Sequence, residues 1–132
     1  IATDHAPHTA QDKAGSFEDA AFGISVLETA LGSVLSLINS HNVPITKIIE
    51  KLTLGPAKVL GTHNIPIPSI QPGSIADVTI FDPNATWTVD TNDFISKGKN
   101  TPLNNMQLHG RVIATFVSGH PVFLSVGSSI VQ

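Results

Sequence analysis

The spacing of apolar residues changes once along this chain, near Gly61, and that change constrains the fold class more than any other feature. Before it, Phe17, Ala20, Ala21, Ile24, Leu27, Ala30, Leu31, Val34, Leu35 and Ile38 recur at intervals of three and four. This is the signature of one broad apolar helix face, and it predicts a helix from Ser16 or Glu18 to about Ser40. Gly23 and Gly32 weaken that helix by roughly 1 kcal/mol each relative to Ala. Asn39-Ser40-His41-Asn42, ahead of Pro44, ends it. A second helix is expected from Thr46 to about Leu52. Gly55-Pro56 breaks it, and Pro56 can open a third, short helix that stops at Gly61.

After Gly61 the pattern is that of strands. Residues 62–73, rich in Pro and Ile, read as a connector. Ile75 to Phe81 reads as a strand, Asp82-Pro83-Asn84 as a turn and Thr86 to Val89 as a second strand. Residues 90–108 are polar and loop-like. Val112 to Val117 reads as a third strand, and Ser118-Gly119-His120 turns it into Val122 to Ser125, a hairpin with a short loop. The chain is therefore expected to be α/β, helical to about residue 61 and β-rich beyond.

Chemistry concentrates at the other end. Ile1-Ala2 reads as the end of a β-strand, and Thr3-Asp4-His5-Ala6-Pro7-His8 follows it. A carboxylate and an imidazole four residues apart at a strand exit match the way barrel enzymes present reactive groups. Such a motif belongs near the end of a long chain, so the sequence is expected to be the tail of an enzyme, beginning just before its last catalytic strand. Composition narrows the partners. The formal net charge is -3, which leaves no basic footprint for nucleic acid. The absence of cysteine excludes disulfides and thiolate metal sites and is compatible with the cytoplasm. No apolar run reaches the ~18 residues of a membrane span. Only 13% of residues are charged, against roughly a quarter in an ordinary domain, so much of the surface is expected to be covered.

The residues resemble a known family. Thr3-Asp4-His5-Ala6-Pro7-His8 followed by Lys13 resembles the second signature of the dihydroorotases, in the amidohydrolase superfamily. The similarity continues through Phe22-Gly23-Ile24, Leu27-Glu28-Thr29-Ala30-Leu31, Pro56-Ala57-Lys58-Val59-Leu60-Gly61, Pro72-Gly73-Ser74-Ile75-Ala76-Asp77 and Ser96-Lys97-Gly98-Lys99-Asn100-Thr101-Pro102. These look like the C-terminal third of the bacterial long-chain form. Two positions depart from the pattern: Val26 stands where Gly usually precedes Leu-Glu-Thr, and Gly55 where Asn commonly precedes Pro-Ala-Lys.

The resemblance implies the C-terminal fragment of a (β/α)8 barrel followed by part of a small β-sandwich built from both chain ends. Ile1 to Asp4 would be the eighth barrel strand, residues 16–40 the eighth helix and 72–126 the small sheet. Residues 1–61 would then close the catalytic barrel domain, and 62–132 would be the connector and sandwich. It implies one or two zinc ions whose other ligands lie upstream of Ile1, and reversible cyclisation of N-carbamoyl-L-aspartate to L-dihydroorotate in pyrimidine biosynthesis. The implied partners are that substrate pair, the N-terminal part of the same protein, and a second copy or aspartate carbamoyltransferase. The alternatives are a non-catalytic dihydroorotase-like subunit, against which the intact Asp4 and His8 argue, and another cyclic amidohydrolase of the hydantoinase or allantoinase type, against which His8 after Ala6-Pro7 argues.

By the same resemblance Asp4 is a zinc ligand and the general base. Zinc lowers the pKa of bound water to about 7, and an adjacent carboxylate can take the proton and return it to the leaving nitrogen. The plainer reading of Asp4 is a strand-end residue capping a turn. His8 resembles the residue that binds the substrate carboxylate; its alternative is a solvent-exposed loop His. Phe22 and Gly23 resemble the segment whose main chain holds the dihydropyrimidine ring, with Phe22 as a core residue the alternative. His5, next to Asp4, would face the opposite side of a strand and is expected to be structural. Lys13 is expected in solvent. His41, His63, His109 and His120 match no zinc spacing and read as surface residues. Lys97, Lys99 and Arg111 are expected in a solvated region far from the barrel mouth.

Overall fold

The computed structural model describes residues 1–61 and 67–125. Four helices precede a three-stranded sheet: α1 (Ala10–Lys13), α2 (Ala30–His41), α3 (Ile45–Leu52), α4 (Leu54–Leu60), β1 (Val78–Thr88), β2 (Gln107–Val117) and β3 (His120–Leu124). The sheet is antiparallel with the strands in sequence order. The predicted succession of helices and then strands is thus observed. His63 and all of the tail after Ser125 lie outside the described residues.

The long helix expected from residue 16 to 40 exists only in its second half. Residues 14–29 form turns and extended backbone instead. Gly15 and Gly23 sit at φ +135 and +111, conformations no helix contains. The main chain of residues 23–27 is committed elsewhere: Ile24 O accepts from Ala6 N–H at 3.0 Å, and Ser25 N–H donates to Asn100 O at 2.8 Å. Phe17 and Leu27, assigned to the helix face by their spacing, are exposed. Periodicity misled because tertiary hydrogen bonds and two left-handed glycines outweigh it. By contrast α3 matches expectation within a residue, with Ile48 buried and Lys47 bridging Glu50 at 2.8 Å on the outside. The Lys47 ammonium holds the Glu50 carboxyl below the usual range.

The unforeseen α1 is a capping box. Thr9 Oγ1 accepts from Asp12 N–H at 3.1 Å, and Asp12 Oδ2 accepts from Thr9 N–H at 3.0 Å. The Thr9 hydroxyl and then the Thr9 N–H hold the Asp12 carboxyl below its ordinary value. Lys13, expected in solvent, donates to Ala21 O at 2.5 Å and pins the following loop.

The two strands expected around Asp82-Pro83-Asn84 are one. β1 runs through the turn signal as an irregularity: Asp82 faces Arg111, and the next pair is Thr86 with His109. Asn84 N–H donates to Asp82 Oδ1 at 2.8 Å, so a local side-chain turn becomes a bulge that bends the strand without ending it. β2 starts earlier than expected, because Leu108 packs with Val89 and Phe94 in the main apolar cluster, flanked by Trp87 and Leu103. The hairpin turns on Ser118 and Gly119, both at positive φ, the geometry of a two-residue turn matched to strand twist. Helix α2 lies on β2 in close contact. A Cβ on Gly32 would stand 3.0 Å from Leu108 Cβ, and one on Gly110 (φ +86) 2.1 Å from Leu35 Cδ1. Gly32, a weakness by propensity, is the space that lets the helix approach.

Candidate functional site

Asp4 is exposed and adopts left-handed backbone, φ 51. For a residue with a Cβ this is a strained conformation. It interrupts the extended run expected over Ile1–Asp4, which has no ladder partner among the described residues. Beyond Asp4 the chain is fixed at once. His5 Nδ1 accepts from the N–H groups of Val26 (3.0 Å) and Leu27 (3.2 Å). Two donors converging on Nδ1 place the ring hydrogen on Nε2, which lies 3.4 Å from Ser96 Oγ. His5 is structural, as expected. Val26 supplies one of these N–H groups and is not among the positive-φ residues, so its departure from the family's usual Gly leaves the contact intact. At Gly55, the other departure, a Cβ would stand 3.2 Å from Glu50 O, a tight fit for any side chain.

His8 and Gly23 come together. A Cβ built on Gly23 would lie 3.3 Å from His8 Nε2 and 2.5 Å from Ala6 Cβ. Only a residue without a side chain fits against Ala6 and His8 there, and the backbone at φ +111 demands the same. Phe22 projects from this segment with 88% of its surface exposed and joins no apolar core among the described residues.

The third member of the arrangement is a segment that the sequence reading placed far away. Residues 96–100 lie directly on the Asp4–His8 loop and on residues 23–28. Asn100 Oδ1 accepts from His8 N–H at 3.1 Å, while its Nδ2 donates to Gly23 O at 3.1 Å. Ser25, fully buried, donates from Oγ to Gly98 O at 2.6 Å. Glu28 Oε1 accepts from Ser96 N–H at 2.8 Å, and its Oε2 is buried without a partner among the described residues. Lys99 turns back to donate to Phe94 O. The sequence signal for Asn100 was present, inside the string Ser96–Pro102, but nothing in that string shows what it touches.

Chemically these residues offer one exposed carboxylate, one half-buried imidazole and a partly buried glycine main chain. Among the described residues no group of three or more His, Asp or Glu could hold a metal ion. Asp4 accordingly fits one ligand's share of a metal site and no more. His41, His109 and His120 are exposed, as expected. A groove of about 420 Å³ is lined by His5, Leu27, Glu28, Ile95 and Ser96, and one of about 440 Å³ lies between α2 and the sheet. Neither includes Asp4 or His8. No described helix is long and apolar enough to cross a membrane.

The chain is similar to known proteins over most of its length. The chain is 45% identical over 123 residues to a dihydroorotase of Syntrophus aciditrophicus, covering 93% of this chain and 28% of that protein. It is 45% identical over 120 residues to a dihydroorotase of Thermoanaerobacter sp., covering 90% and 27%. It therefore spans a little over a quarter of the length of these relatives. Among solved structures, a D-hydantoinase (dihydropyrimidinase) from Thermus sp. superposes with a TM-score of 0.78 at 20% identity, over 92% of this chain and 27% of that one. That likeness is one of fold. The amidohydrolase family model matches residues 1–122, a span running from the strained Asp4 to the last hairpin, and this chain belongs to the amidohydrolase family.

Proposed function

We propose that this chain is part of a zinc-dependent dihydroorotase, interconverting N-carbamoyl-L-aspartate and L-dihydroorotate. The observation that carries the reading is the packing of the His8 imidazole against the Gly23 main chain, on the loop whose preceding residue Asp4 is exposed. The dihydroorotase relatives at 45% identity favour this substrate over a hydantoin. In ring opening, Asp4 takes a proton from the attacking water, the ring C–N bond breaks, and Asp4 returns the proton to the departing nitrogen. In cyclisation it takes the proton from the attacking nitrogen. His8 donates a hydrogen bond to the substrate carboxylate, and the main chain of Phe22 and Gly23 lies along the ring. When bound, zinc supplies Lewis acidity and a water acidic enough to react at neutral pH, with Asp4 as one of its ligands. Residues 1–61 form the end of a (β/α)8 barrel, and 62–132 a connector and part of a small β-sandwich. A cytoplasmic enzyme that pairs with a second copy or with aspartate carbamoyltransferase fits this reading.

The test is turnover by the full-length protein. We expect reversible conversion of dihydroorotate, with Asp4→Asn lowering kcat by about 10²–10⁴-fold. Hydantoin hydrolysis without dihydroorotate turnover would sink the proposal.

A further inference from the structure

We propose that Asn100 is a positioning residue that sets the His8 and Gly23 segments relative to each other for substrate binding; this rests on the dihydroorotase reading. Its carboxamide makes two main-chain bonds of opposite sense, accepting from His8 N–H and donating to Gly23 O, each at 3.1 Å. The orientation is therefore unambiguous, because a flipped amide would set NH₂ against N–H and oxygen against oxygen. Its own carbonyl accepts from Ser25 N–H at 2.8 Å, so one residue ties three points on two loops. The segment has no room to slide. A Cβ on Gly98 would stand 2.4 Å from Pro7 Cβ, so Pro7 packs directly against its main chain. Asn100 touches no group assigned to proton transfer. What it fixes is the separation between the imidazole that meets the substrate anion and the peptide that meets the ring. A two-point site of this kind works only when both points are held in register.

The experiment uses the full-length enzyme. Asn100→Ala removes both side-chain bonds. Asn100→Asp keeps the acceptor for His8 and opposes Gly23 O with a second oxygen. Ser25→Ala removes a bond in the same interface that reaches neither His8 nor Gly23. We expect both Asn100 variants to raise KM for dihydroorotate about tenfold, with kcat changed by less than about threefold. Ser25→Ala should lower Tm comparably while KM stays within about twofold. Amide hydrogen exchange should quicken in the peptides carrying His8 and Ser25 in Asn100→Ala. Ser25→Ala raising KM as much, or Asn100 variants that lose kcat at unchanged KM or fail to fold, would show Asn100 to be merely structural. Wild-type enzyme without dihydroorotate turnover overturns the function; unchanged exchange in Asn100→Ala overturns the clamp by itself.

Discussion

At Gly23 two independent constraints meet. Its backbone lies at φ +111, and its missing side chain would collide with Ala6 Cβ at 2.5 Å and crowd His8 Nε2 at 3.3 Å. Gly23→Ala therefore has to distort either its own backbone or the Ala6–His8 loop. We expect a stability loss of about 3 kcal/mol, read as a lowered melting temperature of the full-length protein, with KM raised because the methyl fills the space beside His8. An unchanged melting temperature would show that the loop yields freely. At this scale much was legible. Asp4 and His8 stood out by residue type and position, Gly23 only through the family resemblance, and the two main-chain bonds to His5 fit its structural reading. What could not be read is Asn100. Its function depends on bonds spanning 92 and 77 residues, and no local pattern encodes a partner that distant.

The contact between α2 and β2 decides how the helical and sheet parts meet. Gly110 stands at φ +86 under Leu35, with 2.1 Å between a built Cβ and Leu35 Cδ1, and its carbonyl accepts from Trp87 Nε1–H at 3.0 Å. Gly110→Ala should cost about 2–4 kcal/mol, combining backbone strain and overpacking. The double variant Gly110→Ala/Leu35→Ala should cost less than the sum of the singles, because Leu35→Ala vacates the space the methyl needs. Additive melting temperatures would mean that the two residues do not press on each other. Elements were legible where local pattern and tertiary demand coincide. Helix α3 needs only its own amphipathic face, and the last hairpin only its Ser118-Gly119 turn. They were misread where long-range bonds prevail. Residues 16–29 carry helical spacing, but their peptides serve His5, Ala6 and Asn100. β1 carries a turn signal, yet β2 pairs with it on both sides.

Across the molecule the apolar residues divide unevenly. Among the described residues Leu35, Ile48, Ala57, Val89, Phe94, Leu108 and Ala114 form the buried apolar set, while Phe17 (90%), Ile70 (93%) and Ile95 (92%) are exposed, as are Phe22, Val59 and Leu60. The low charge visible in the sequence has this structural counterpart: a surface with too few polar groups to be wholly solvated. Large apolar patches seldom remain in water. A polypeptide of residues 1–132 alone should therefore associate with itself, giving oligomers in light scattering at micromolar concentration. It should also show no dihydroorotate turnover, since among the described residues no group of three or more His, Asp or Glu could hold a metal ion. The two outcomes have separate causes. Association follows from uncovered side chains and would yield to surface charges placed at Phe17 and Ile95, whereas inactivity follows from absent ligands and would persist in such variants. A monodisperse monomer would show that the exposed faces are tolerated in water and that the low charge has some other origin.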